Sequence, residues 1–201
     1  MRRTNYWRHL SFFLKANYRL LLFLACLLIG VTIGCLVYGD VSAAYGSKLG
    51  ALLQITPVAS GLGGWITGIF SSCLFLWILL AVLLLAGLSV CGAPVAWLAP
   101  LLYGLGLGLT EAQLFSQGGE GILQTALLVI PHSLLAIFAL LMGCAESLRM
   151  TLLLAGQVLP SFTHCGGLWT DFKRYFLRFL IFFGLAFLSA VVDVLLRVVV
   201  L

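Results

Sequence analysis

Between Lys48 and Glu111 the chain carries not one charged residue. A water-soluble core has no need of so long an uncharged run, and it leaves room for two membrane-crossing helices at ~20 residues each. The rest of the chain agrees. Of its 201 residues 63% are hydrophobic and 8% charged, with a mean hydropathy of +1.18, well outside the range of soluble domains. The sequence therefore predicts an all-α integral membrane protein, a bundle of five transmembrane helices. The gaps between the apolar runs are too short for a separate soluble domain.

The predicted spans are 20–38, 65–88, 94–110, 121–145 and 179–198. Ahead of them, residues 1–19 hold Arg2, Arg3, Arg8, Lys15 and Arg19 without an acid. Tyr6, Trp7, Leu10, Phe13 and Leu14 recur there at helical spacing, which predicts a basic amphipathic helix in the cytoplasmic headgroup layer. The basic start, apolar run and Val41-Ser42-Ala43 also describe a secretory signal. The apolar run is longer than the ~7–15 residues usual for one, which favours an uncleaved anchor. Residues 20–201 are read as one transmembrane domain, with an external loop at 40–64 and a cytoplasmic loop at 146–178.

Charge placement predicts the orientation. With five spans and the N-terminus cytoplasmic, nine of the eleven basic residues lie inside, and only Lys48 and Arg197 outside. The C-terminus is then extracellular, and the reverse arrangement would violate the positive-inside rule. The same charge asymmetry answers to membrane topology rather than to nucleic acid, and no nucleic-acid partner is expected.

The span 121–145 holds Pro131 and His132 side by side. A proline within a helix removes a donor and clashes with the preceding turn, so a bend is expected there, with a carbonyl near Leu127 seeking another partner. An ionisable residue at membrane depth is a functional candidate, although His132 could serve only to repair the freed backbone. Gly104 and Gly108 form a GxxxG face, as do Gly30/Gly34 and Gly64/Gly68, where helices can approach closely. Packing within the chain is the plainer use of these faces, and homo-oligomerisation the other. Glu146 and Arg149, three residues apart, can pair at the cytoplasmic end of the fourth span, and Asp193 and Arg197 in favourable i, i+4 order near the outer surface. Thr151 to Tyr175 is only patchily apolar and reads as a half-buried cytoplasmic helix. From Phe172 through Tyr175, Phe176 and Phe179, aromatic residues share one helical face.

Chemistry-bearing motifs are missing. The six cysteines form no CxxC pair, no HExxH, GxSxG or phosphate loop occurs, and Ser133 and His132 point about 100° apart on a helix. No catalytic residue, metal site or cofactor is expected.

A glycine-patterned span (Tyr103-Gly104-Leu105-Gly106-Leu107-Gly108), a short polar turn ending in Gly121, ten residues to Pro131, a polar residue after it, and Ser147-Leu148-Arg149-Met150 resemble the stage II sporulation protein M family. The resemblance is specific over roughly 104–150, and the basic lead-in, first span and external loop agree in layout. It implies a non-catalytic multi-pass scaffold in the mother-cell membrane. Such a scaffold holds membrane-anchored peptidoglycan-degrading partners at the septum during engulfment. The matched positions are Gly104, Gly108, Gly121, Pro131 and Arg149, all structural. Besides these hydrolases the expected partners are membrane lipids. The alternative is a subunit of a small-molecule or ion transporter, with His132 as a midplane site and Asp193 or Glu111 as its acidic partner.

Overall fold

The computed structural model describes residues 18–53, 62–116, 130–158 and 168–200. They form five helices: α1 (Tyr18–Leu53), α2 (Leu62–Gly87), α3 (Ala93–Phe115), α4 (Ile130–Val158) and α5 (Leu168–Val200). Each contains a segment long and apolar enough to cross a membrane, so the described residues fold as helices and turns of a multi-pass membrane protein.

Contacts between named residues fix the relative directions. Leu27 and Val31 of α1 meet Gly104 and Gly108 of α3 in the same order, so these two helices run parallel. Ser72 and Leu84 of α2 meet Asp193 and Tyr175 of α5 in the opposite order, so that pair is antiparallel. Leu80 and Leu83 of α2 meet Gly143 and Ser147 of α4 in register, and the tight turn at 88–92 reverses the chain between α2 and α3. The helices therefore alternate up and down. One end gathers Arg19, Arg149, Lys173, Arg174 and Arg178; the other gathers Glu111, His132, Asp193 and Arg197.

Two kinds of interface hold the bundle. Helices α1 and α3 share the most extensive contact in the protein, and its basis is reciprocal glycine. A Cβ at Gly104 or Gly108 would strike the Leu27 or Val31 carbonyl, and one at Gly30 or Gly34 the Leu101 or Leu105 carbonyl. Without side chains at these four positions the backbones close to Cα–H···O range, which compensates for the lack of a hydrophobic drive between helices in lipid. The Gly104/Gly108 face is thus filled by the chain's own α1. Gly106 points elsewhere, toward Phe75 at 4.0 Å.

Helices α2, α4 and α5 pack on one another through large side chains: Leu80, Leu83, Leu140 and Phe179 are fully buried. Phe179 touches Tyr175 and Phe182 at ring-centroid distances of 4.8 and 5.7 Å. Outward-facing Leu36, Leu85, Leu134 and Leu180 are exposed, as expected where the solvent is lipid.

Several boundaries differ from the expected ones. Residues 40–53, read as part of an external loop, continue α1 as helix. Asp40 ends the apolar run but no proline follows until Pro57, and alanine and leucine sustain the backbone. At the other end, 146–158 is not loop but the last three turns of α4, carried past Glu146 and Arg149 by the apolar run from Leu152. Likewise α5 starts at Leu168 rather than 179, so the aromatic face from Phe172 belongs to it.

The bend expected at Pro131 is also revised. The described helix starts at Ile130, so Pro131 stands in its first turn, exposed, where a missing N–H costs nothing. Leu127 and the start of the expected fourth span at 121–129, including Gly121, lie outside the described residues, as do 1–17. Pro100 is the proline within a described helix: it is buried inside α3, where its ring removes the bond to the Ala96 carbonyl.

Candidate functional site

The polar groups of the bundle collect in two clusters, one toward each end. The first is built on Asp193, only 2% exposed, on the inner face of α5. An unpaired carboxylate there would be strongly disfavoured. Arg197, one turn on, reaches back with Nη2 2.8 Å from Oδ2 and Nε 3.1 Å from Oδ1, a two-pronged pair. Ser72 of α2 donates its hydroxyl to Oδ2 at 2.7 Å. His132 Nδ1 of α4 lies 3.6 Å from Oδ1, close enough for an ion pair when the ring is protonated. One turn before Asp193, Ser189 donates to the His132 carbonyl at 2.7 Å. Three helices thus meet around one acid.

The second cluster is built on Glu146 of α4. Arg178 of α5 bonds its Oε1, and Arg149 Nη1 stands 3.5 Å from Oε2. The three side chains are 20%, 42% and 46% exposed, so water shares the work here. One turn inward, the Leu83 carbonyl of α2 accepts from Ser147 at 2.8 Å and from Tyr175 at 3.2 Å, and the Leu84 carbonyl accepts from Tyr175 at 3.0 Å. The last turn of a helix leaves carbonyls without partners: Tyr175 takes up that of Leu84, and the Leu88 and Ser89 N–H groups of the following turn take up those of Leu85 and Ala86. A Cβ at Gly87 would collide with the Tyr175 hydroxyl, so this glycine makes the cap accessible.

The expected site residues are thus distributed rather than convergent. Gly104 and Gly108 lie in the α1–α3 seam; Pro131 and His132 open α4 at one end; Glu146 and Arg149 pair near the other. Asp193 and Arg197 pair as their spacing predicts, at the end of the bundle opposite the basic one and with the carboxylate turned inward. Glu111, the other acid considered for His132, is half-buried on α3. Sequence reasoning missed Ser72, Ser189, Ser147 and Tyr175. Their signal is weak: a hydroxyl in an apolar helix bonds its own preceding turn just as readily, as Ser133 does to the Ile130 carbonyl at 3.0 Å.

Among the described residues no group of three or more His, Cys, Asp and Glu is placed to hold a metal ion. Both clusters tie helices together: Asp193 faces Arg197, His132 and the Ser72 hydroxyl, and Glu146 faces two guanidinium groups. No family profile matches the chain, nor does any curated protein or solved structure.

Proposed function

We propose that this protein is a non-catalytic membrane scaffold of the stage II sporulation protein M type. In this reading it sits in the cell membrane of an endospore former and holds membrane-anchored peptidoglycan-degrading partners at the septum during engulfment. The observation that carries the reading is the saturation of Asp193. Both of its oxygens are engaged by Arg197 and Ser72, with His132 alongside, so the most deeply buried acid among the described residues is spent on architecture. A rigid frame with an apolar exterior suits a protein whose work is to position others. The basic end, with Arg149, Lys173, Arg174 and Arg178, is the cytoplasmic one by the positive-inside rule. Residues 40–64 then face outward, where a hydrolase anchored in the same membrane would meet them.

The test is a mild-detergent pull-down of the tagged protein from its native host, with mass spectrometry of what is retained. Anchored peptidoglycan hydrolases should be recovered, and should be lost when 40–64 is replaced by an unrelated segment of equal length. Recovery that is indifferent to the replacement would move the contact surface elsewhere. Absence of any such hydrolase would sink the reading.

One observation favours a second reading, a subunit of a small-molecule or ion transporter. His132 and Asp193 lie 3.6 Å apart within membrane-crossing segments, and ionisable pairs there serve proton and ion pathways. Co-purification of an ATPase or a multi-span permease, with reconstituted flux abolished by His132→Ala, would establish it in place of the scaffold.

A further inference from the structure

The apolar segment of α5 runs from Trp169 to Arg197, 29 residues, and that of α4 over 27. At ~1.5 Å per residue these helices exceed a ~30 Å hydrocarbon core by several residues. The excess at the basic end lies in the headgroup layer, and its side chains are of the kind found there. Trp169, 67% exposed, stacks on Phe172 at 6.0 Å, and Lys173 Nζ sits 5.3 Å from the Trp169 ring centroid.

Between α4 and α5 at this level opens a cleft. Arg149, Met150 and Leu153 line it from α4, and Asp171, Arg174 and Tyr175 from α5, with Glu146 at its inner edge. Met150 and Tyr175 are buried, while the rim is charged. The charges do not cancel. Glu146 is bonded by Arg178, and Arg149, which lines the cleft, touches it only at 3.5 Å with nearly half its side chain in the open. Arg174 is exposed and has no ion-pair partner among the described residues. Asp171 lies in the first turn of α5, where the helix N-terminus offsets its charge.

We propose that this cleft binds the phosphate of an anionic phospholipid, with Arg149 and Arg174 as the two sides of the clamp. Three features select a lipid over a soluble anion. The cations stand at headgroup depth, buried Met150 and Tyr175 line the cleft beside them, and aromatic residues flank them at the interface. Basic pockets between transmembrane helices bind anionic headgroups on this principle, and guanidinium groups bind phosphate by parallel hydrogen bonds. The site is independent of the scaffold reading: it concerns how the frame is seated in its membrane, not what the frame holds.

The test uses the full chain in nanodiscs of phosphatidylcholine with a minor fraction of phosphatidylglycerol, the retained phospholipid being counted by native mass spectrometry. The wild type should retain phosphatidylglycerol preferentially. Arg149→Gln with Arg174→Gln should weaken that retention by about thirtyfold, taking ~1 kcal/mol for each basic residue near a membrane surface. Arg19→Gln, at the same end but outside the cleft, should leave it unchanged. Arg174→Gln alone should still give about a fivefold loss, and it removes no ion pair of the fold, so the test survives if the double variant does not assemble. Equal retention by wild type and both cleft variants would overturn the proposal, as would an equal loss in Arg19→Gln, which would mean diffuse charge attraction. Thermal stabilisation by inorganic phosphate alone, in pure phosphatidylcholine discs and to the same extent, would make the site one for a free anion and overturn the lipid assignment.

Discussion

The two charge clusters use similar parts and differ in their access to water. Asp193 is 3% exposed at its side chain and its partner Arg197 18%; Glu146 is 20% exposed and its partners 42% and 46%. Where water is excluded, a charge is costly by itself, so the pair behaves as one unit whose halves cannot be removed separately. Where water reaches, a stripped charge is simply hydrated again, and the pair adds little. The same residue types are therefore an obligatory clasp between α2, α4 and α5 at one end and a loose bracket between α4 and α5 at the other.

The largest expected effect is Arg197→Ala. It leaves Asp193 buried with only Ser72 and His132, and should cost about 3–5 kcal/mol in SDS-titration unfolding of the purified protein. Adding Asp193→Asn to the same chain should restore most of the loss, because the stranded charge goes with it. If Arg197→Ala unfolds like the wild type, Asp193 is hydrated and the contrast between the two ends collapses.

Next is Gly104→Leu, which asks whether the clasp or the glycine seam dominates. The new Cβ meets a backbone carbonyl, which cannot rotate away, so α1 must leave α3. Overpacking usually costs about 1–3 kcal/mol, and a backbone obstacle belongs at the top of that range. Crosslinking between cysteines introduced at exposed positions of α1 and α3 should fall away, while the Asp193 clasp in α2, α4 and α5 stays intact. Unchanged crosslinking would mean that the two helices meet elsewhere.

How much of this was legible beforehand follows from the same physics. The five apolar runs, the Gly104/Gly108 face and the Asp193/Arg197 and Glu146/Arg149 spacings are local patterns, and a local pattern survives in one dimension. Their partners are not local: Arg178 lies 32 residues from Glu146 and Ser72 lies 121 from Asp193, distances over which nothing in the sequence couples them. Boundaries failed for a different reason. Asp40 and Glu146 were read as ends because charge ends an apolar run; the first membrane-crossing segment does close at Gly39, but the helices themselves run on past both charges, since backbone hydrogen bonding is indifferent to a single charged side chain. Pro131 drew the attention that Pro100 merited, because the neighbouring His132 made it conspicuous and a proline in an apolar context did not.

Ser72→Ala probes the clasp more gently. It deletes one charge-assisted hydrogen bond and leaves the Arg197 pair in place, so about 1–2 kcal/mol should be lost. Ser72→Thr, which keeps the hydroxyl, should recover part of it. If alanine costs nothing, the hold of α2 on α5 comes from Leu80, Leu83 and the Tyr175 cap alone, and the clasp joins two helices instead of three.

Arg178→Ala should have the smallest effect. Glu146 keeps Arg149 at 3.5 Å and keeps its access to water, so the loss should be under about 1 kcal/mol. The sharper prediction concerns salt. Screening acts on charges that water reaches and much less on buried pairs, so raising the ionic strength should erase the small difference between Arg178→Ala and wild type while leaving the Arg197→Ala deficit nearly intact. A deficit at Arg178 as large and as salt-resistant as that at Arg197 would mean that the α4–α5 bracket is shut off from water in the membrane. The two ends would then be equivalent clasps, and the cleft beside Arg149 would be closed to any headgroup.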